Sequence, residues 1–178
     1  MDTEQDAYFH RVERRSNVDY MLRTTQQHHV HLSAMADQKA SILVGAEAIM
    51  LTLLFNQLQN HGIQPALVVL TGFIFASAVF AFMAVMPRAK GAGPESPNFN
   101  WLFFGSFAQV EPETYFRHMS ELLQNDAQVY HVILRDIHQL GTLLYRKKYR
   151  YLSIAYRLFL AGVVATVLTL VAEHVGLV

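Results

Sequence analysis

The chain is 178 residues long and 52% hydrophobic, and its 14 Lys and Arg balance 14 Asp and Glu. A formal charge of zero supplies no global basic field that would recommend nucleic acid as a partner. The absence of cysteine excludes disulfides, thiolate chemistry and Cys-ligated zinc.

The first residues, Met1 to Asp6, are acidic and polar where a secretory signal would be basic and then apolar. The first apolar segment is therefore expected to act as its own insertion signal. Residues 4–36 contain no Gly or Pro and are rich in helix formers. This predicts a cytosolic N-terminal helix over 1–39 that runs without a break into a first transmembrane helix at 40–58. Val18, Leu22, Thr25, His29, Leu32, Ala36, Lys39, Leu43, Ala46, Met50 and Leu53 alternate by four and three, a heptad-like seam that crosses the membrane boundary. Polar members at Thr25, His29 and Lys39 favour a packed helical bundle over a free-standing zipper. Glu47 is the one ionisable group in the first span. A carboxyl there is costly unless it faces a cavity, finds a partner or takes up a proton, which makes Glu47 the candidate for pore lining or gating. Its ordinary alternative is a neutral residue hydrogen-bonded inside a bundle.

The connection Asn56 to Pro65 carries no Lys or Arg, and the second segment, 66–86, carries no charge at all. At 1.5 Å per residue this segment reaches roughly 31 Å, enough to cross a hydrocarbon core. Gly72, Ala76 and Phe80, with Ser77 nearby, suit close helix contact. Pro87 ends the span, and Gly91, Gly93, Pro94 and Pro97 form a short connection into the aromatic run Asn98 to Gly105. That run has two readings, a seat at the membrane interface or a plug in the cytosolic bundle. From Glu111 to Tyr149 the chain reads as one helix, with Pro112 in its first turn and an apolar stripe through Tyr115, Met119, Leu122, Val129, Ile133, Ile137, Leu140 and Leu144. Gly141 is its weak point. Residues 87–150 thus make a cytosolic connection and long helix that leads into a third span at 151–172, where Arg157 can snorkel to the headgroups.

The expected fold class is an all-α membrane protein with three transmembrane helices, two of them extended by long cytosolic helices that form a helical bundle. Basic residues at 11, 14, 15, 23 and 39 precede the first span, and others at 88, 90, 117, 135, 146–148 and 150 lie between the second and third. By the positive-inside rule the N-terminus is cytoplasmic and the C-terminus is on the far side. His28, His29 and His31 point to different helix faces, and His131 with His138 share a face without a ligand set of any specificity, so no metal is expected. The chain has no Gly-x-Ser-x-Gly elbow, no Walker loop and no dinucleotide glycine fingerprint. An enzyme is not expected, and no cofactor is implied. The basic run Arg146 to Arg150 reads as a juxtamembrane anchor for anionic lipid or as a phosphate site.

Ala36-Asp37-Gln38-Lys39-Ala40 at the first span, Leu102-Phe103-Phe104-Gly105 after the second, and Asp136-Ile137-His138 with Lys147-Lys148-Tyr149-Arg150-Tyr151-Leu152 before the third resemble the Pycsar membrane effectors. The resemblance covers roughly residues 22 to 172. It implies an antiphage protein of the bacterial inner membrane, activated by cyclic CMP or cyclic UMP from a partner pyrimidine nucleotide cyclase, which then damages the bilayer and stops growth. Some relatives carry a fused phosphohydrolase domain, and this chain has none. It also lacks a recognisable cyclic-nucleotide-binding barrel, so the ligand site would be built from helices. A cyclic nucleotide needs cations for its phosphate, polar groups for ribose and base edge, and an aromatic face. The candidates are Lys39, Arg135, Lys148 and Arg150 for phosphate, Asp37 and Asp136 for ribose or base edge, and Phe103, Phe104 or Tyr149 for stacking. Asp37, Lys39 and Asp136 could equally serve as pairing groups. Three spans cannot enclose an aqueous path alone, so a homo-oligomer is expected. The alternative is a membrane anchor or adaptor whose cytosolic helices dock a partner protein.

Overall fold

A computed structural model describes residues 16–86 and 91–175 of the chain. The start of the expected N-terminal helix, with Arg11, Arg14 and Arg15, and the basic residues Arg88 and Lys90 lie outside the described residues.

Helix α1, Ser16–His61, runs 46 residues without a break. Gly62 stops it: its N–H bonds back to the Leu58 carbonyl at 3.1 Å, and its φ of 77° is a left-handed value that glycine adopts without a Cβ penalty. Helix α2, Pro65–Val85, begins with proline where the missing N–H leaves no unmet intrahelical bond. A single turn α3, Phe104–Phe107, and helix α4, Pro112–Leu122, follow. Helix α5, Asp126–Leu143, passes through a π-helical turn, Leu144–Tyr149, into α6, Arg150–Val175. Among the described residues helix is the only regular structure, and three helical stretches are long and apolar enough to cross a membrane. This is an all-α membrane protein in which two of the three membrane helices are extended.

The single helix expected over Glu111–Tyr149 is broken at Leu123–Asn125. Asn125 is the cause: its side-chain oxygen accepts the Ala127 N–H at 3.0 Å, so it starts a new helix in place of continuing the old one. Gly141, the expected weak point, lies inside helix α5. A Cβ there would come 3.3 Å from the His29 ring, so this position trades helix propensity for room.

The chain divides into two compact units. The first contains residues 16–31 of α1 with 91–143; the second contains residues 32–86 with 144–175. In the first, Leu22, Tyr130 and Ile137 form the core, flanked by Val18, Ile133 and Leu134. The aromatic run packs within this unit, with Trp101 stacked 3.8 Å from His118 of α4 and Phe99 set edge-on to Trp101 at 4.8 Å.

The second unit is built from the membrane helices. Ala40, Leu43, Ala81, Ala84, Leu152 and Ala155 are buried where α1, α2 and α6 meet. Ile42, Ile49, Phe55, Phe75, Phe82, Val164 and Leu168 are exposed, as suits side chains that face lipid. Small residues bring the backbones close, and a Cβ on Gly162 would lie 2.5 Å from the Phe73 Cβ. Past Ala36 the heptad-like seam keeps Leu43 but shifts by one residue at every second position. Ala40, Glu47 and Leu54 are buried, whereas Lys39, Ala46 and Leu53 are exposed. A straight α-helix drifts about 20° per heptad from a strict 3.5-residue repeat, and over this length that drift carries the inner face one position along.

Gly162→Ala is expected to lower the stability of the detergent-purified protein by about 1–3 kcal/mol, because Phe73 Cβ cannot swing away. Gly72→Ala, where a Cβ meets nothing within 4 Å, is expected to be neutral or slightly stabilising in the same thermal unfolding assay.

Candidate functional site

Three polar clusters stand out from the apolar packing. In the first unit, α1 and α5 run parallel and exchange side-chain hydrogen bonds. The Tyr130 hydroxyl donates to Asp19 at 2.7 Å, and the Gln26 amide donates to one oxygen of Asp136 at 2.8 Å. The other Asp136 oxygen accepts from the Asn100 amide at 2.9 Å, and the same amide donates to Gln139 at 2.9 Å. Asn100 also accepts the Leu102 N–H at 2.9 Å, which fixes the start of the aromatic run. Asn100 is 3% exposed and Asp136 9% exposed, so this is a buried network in which amides satisfy a carboxylate. Arg135, next in sequence to Asp136, turns elsewhere and donates to the Pro97 carbonyl.

In the second unit the π turn organises the next cluster. A turn closed i→i+5 holds more residues than an α turn, so successive side chains spread less around the axis. Lys148 and Tyr149 both reach α1 from adjacent positions. Lys148 Nζ donates to both Asp37 oxygens at 2.7 Å and to the Ser33 hydroxyl at 2.9 Å. The Tyr149 hydroxyl donates to the Leu32 carbonyl at 3.3 Å, and one helical stretch later the Tyr156 hydroxyl donates to the Lys39 carbonyl at 3.2 Å. Arg146, Lys147, Arg150 and Lys39 are exposed around this contact.

The third cluster sits within the apolar helices. Glu47 is 1% exposed, and its carboxyl lies within reach of the Ser77 hydroxyl. The fully buried Ser77 hydroxyl donates to the Ala155 carbonyl at 2.8 Å. Among the described residues no Lys or Arg pairs with Glu47, which separates this carboxyl from Asp37.

The proposed ligand residues therefore fall into two groups. Asp37, Lys39, Lys148, Tyr149 and Arg150 belong to the second unit, and Phe103, Phe104, Arg135 and Asp136 to the first. Asp37 and Lys148 are brought into direct contact. Phe103 and Phe104 pair with each other at 4.9 Å, with Phe104 exposed. Among the described residues no three His, Asp or Glu side chains converge as metal ligands. The sequence marks Ser77 only as a small residue suited to close helix contact and assigns no role to Gln26, Ser33, Asn100 or Gln139. Ser33 was within reach, since it lies four residues before Asp37 and so shares its helix face. Asn100, a lone polar residue between Phe99 and Trp101, carried a weaker signal.

A family model for the Pycsar effector protein domain matches residues 20–173. The chain belongs to this family. The matched stretch starts in α1 and ends near the end of α6, so it takes in both units. Membership gives the chain an antiphage effector role and ties it to cyclic nucleotide signalling; the family is a transmembrane effector, not a cyclase. Comparison with curated proteins and with solved structures returns no match.

The buried amide network yields a direct test of this Pycsar effector's first unit. Asn100→Ala removes a donor from buried Asp136 and leaves Gln139 short of a partner, which is expected to cost about 1–3 kcal/mol. Hydrogen exchange should then quicken in residues 126–143, whereas exchange in α2 should stay unchanged.

Proposed function

We propose that this Pycsar effector responds to cyclic CMP or cyclic UMP, made by a partner pyrimidine nucleotide cyclase, by assembling into a homo-oligomer that permeabilises the bacterial inner membrane. Growth of the infected cell then stops. The protein acts without catalysis, with its N-terminus cytoplasmic and its C-terminus periplasmic. The observation that supports the reading is that one family match takes in every described helix long enough to span a membrane. Three helices cannot surround water, so several protomers must combine to open a path.

In this reading the nucleotide draws on Lys39, Lys148 and Arg150 of the second unit for its phosphate and on Tyr149 for stacking. Glu47 serves the membrane step. A carboxyl held in an apolar bundle, with the Ser77 hydroxyl beside it already donating to the Ala155 carbonyl, raises the free energy of the closed arrangement. Separation of the helices hydrates it and relieves that cost, so Glu47 biases the protein toward opening.

The test uses proteoliposomes loaded with a self-quenched dye. Cyclic CMP or cyclic UMP added on the side of the cytosolic helices should release dye and shift the protein to a larger assembly on crosslinking. Release with neither nucleotide would turn the reading to a membrane anchor or adaptor. Glu47→Leu, which fills the same space without the polar cost, is expected to slow nucleotide-triggered release roughly tenfold while nucleotide binding is retained.

A further inference from the structure

We propose that Lys148 is a receptor for a phosphodiester monoanion and that Asp37 occupies it in the resting protein, so that activation exchanges one anion for another. The inference rests on the reading above and gives it a molecular trigger.

The Lys148 ammonium has three donors, and the two Asp37 oxygens at 2.7 Å with the Ser33 hydroxyl at 2.9 Å take all of them. All of these partners come from one turn of α1. A phosphodiester resembles the Asp37 carboxylate in the respects that matter here, with one negative charge and two terminal oxygens. It can replace the carboxylate at Lys148 while Ser33 stays in place. The contact is open to such exchange, since the Asp37 side chain is 44% exposed and that of Lys148 22%. A pair exposed to this degree is held only weakly against a competing anion.

Charge around the contact favours an incoming anion. Lys39, Arg146, Lys147 and Arg150 lie near it in sequence and are exposed. Among the described residues of this unit, the other carboxylates are Glu47, inside the membrane helices, and Glu173, near the end of α6. Among the described residues of this unit, Asp37 is thus the one acid beside this basic segment, and its departure leaves a strongly positive site. The exchange also has a mechanical result. Lys148 lies in the π turn, and its bonds to Ser33 and Asp37 tie that turn to α1. When the Asp37 pair opens, the Tyr149 hydroxyl on the Leu32 carbonyl at 3.3 Å remains as a weaker tie in the same turn.

Two sources carry this chemistry, a cyclic nucleotide and a phospholipid headgroup, and the experiment separates them. Full-length protein is placed in phosphatidylcholine nanodiscs with or without phosphatidylglycerol. Titration calorimetry follows cyclic CMP and cyclic UMP, and native mass spectrometry counts retained phosphatidylglycerol. Asp37→Asn, which removes the internal competitor, should tighten anion binding roughly fivefold. Lys148→Met should weaken it at least roughly tenfold. The swapped pair Asp37→Lys with Lys148→Asp keeps a salt bridge and should bind no anion at position 148. If the effects appear for nucleotide, the cyclic nucleotide is the displacing anion; if they appear for phosphatidylglycerol alone, the exchange stands and the nucleotide reading falls. Nucleotide binding that Asp37→Asn weakens or leaves unchanged would overturn the exchange and leave nucleotide activation intact.

Discussion

Hydrocarbon offers no hydrogen bonds, so a chain that crosses it must satisfy every peptide group within its own helices, and those helices can then differ only in how their side chains meet. The rest of this structure follows from that constraint. Lipid tails are as apolar as leucine, so burial of apolar surface does little to hold α1, α2 and α6 together. Close approach does it instead, through Ala40, Ala81, Ala84, Ala155 and Gly162, with larger side chains such as Ile42, Phe75 and Leu168 turned outward. Within such a bundle a buried carboxyl at Glu47, set beside the Ser77 hydroxyl, is the most conspicuous expense.

The membrane spans were legible because they depend on length and hydropathy, properties that sum over twenty residues and do not depend on detail. The inner face of α1 was legible only in part. A four-three alternation predicts the buried side correctly at Leu22, Ala36 and Leu43 but misses by one residue at Lys39, Ala46 and Leu53, since the pattern assumes 3.5 residues per turn and the helix has more. That one-residue slip exchanges Ala46 for Glu47 on the inner face. Asn125 and the π turn were not legible for a different reason. A lone Asn is tolerated in many helices, and it acts as a start signal only when its side chain finds the N–H two residues on.

The site shows the same division. Asp37, Lys148 and Asp136 carry charge, and charge in sequence attracts notice. Their partners, Ser33, Gln26, Asn100 and Gln139, are neutral residues whose role depends on geometry alone. Asp136 ends in a buried amide network, Asp37 in a half-exposed ion pair, and Glu47 in an apolar bundle beside the Ser77 hydroxyl. Three carboxylates of one chain thus meet three environments, and the proposals above give the second and third of them a use.

The central claim is that a pyrimidine cyclic nucleotide turns this membrane protein from a harmless bundle into a lesion. The most direct measurement is the membrane potential of bacteria that express the chain together with an active or inactivated pyrimidine cyclase. Depolarisation that appears with the active enzyme and is absent with the inactive one is the expected result. An unchanged potential while cyclic CMP and cyclic UMP accumulate would contradict it.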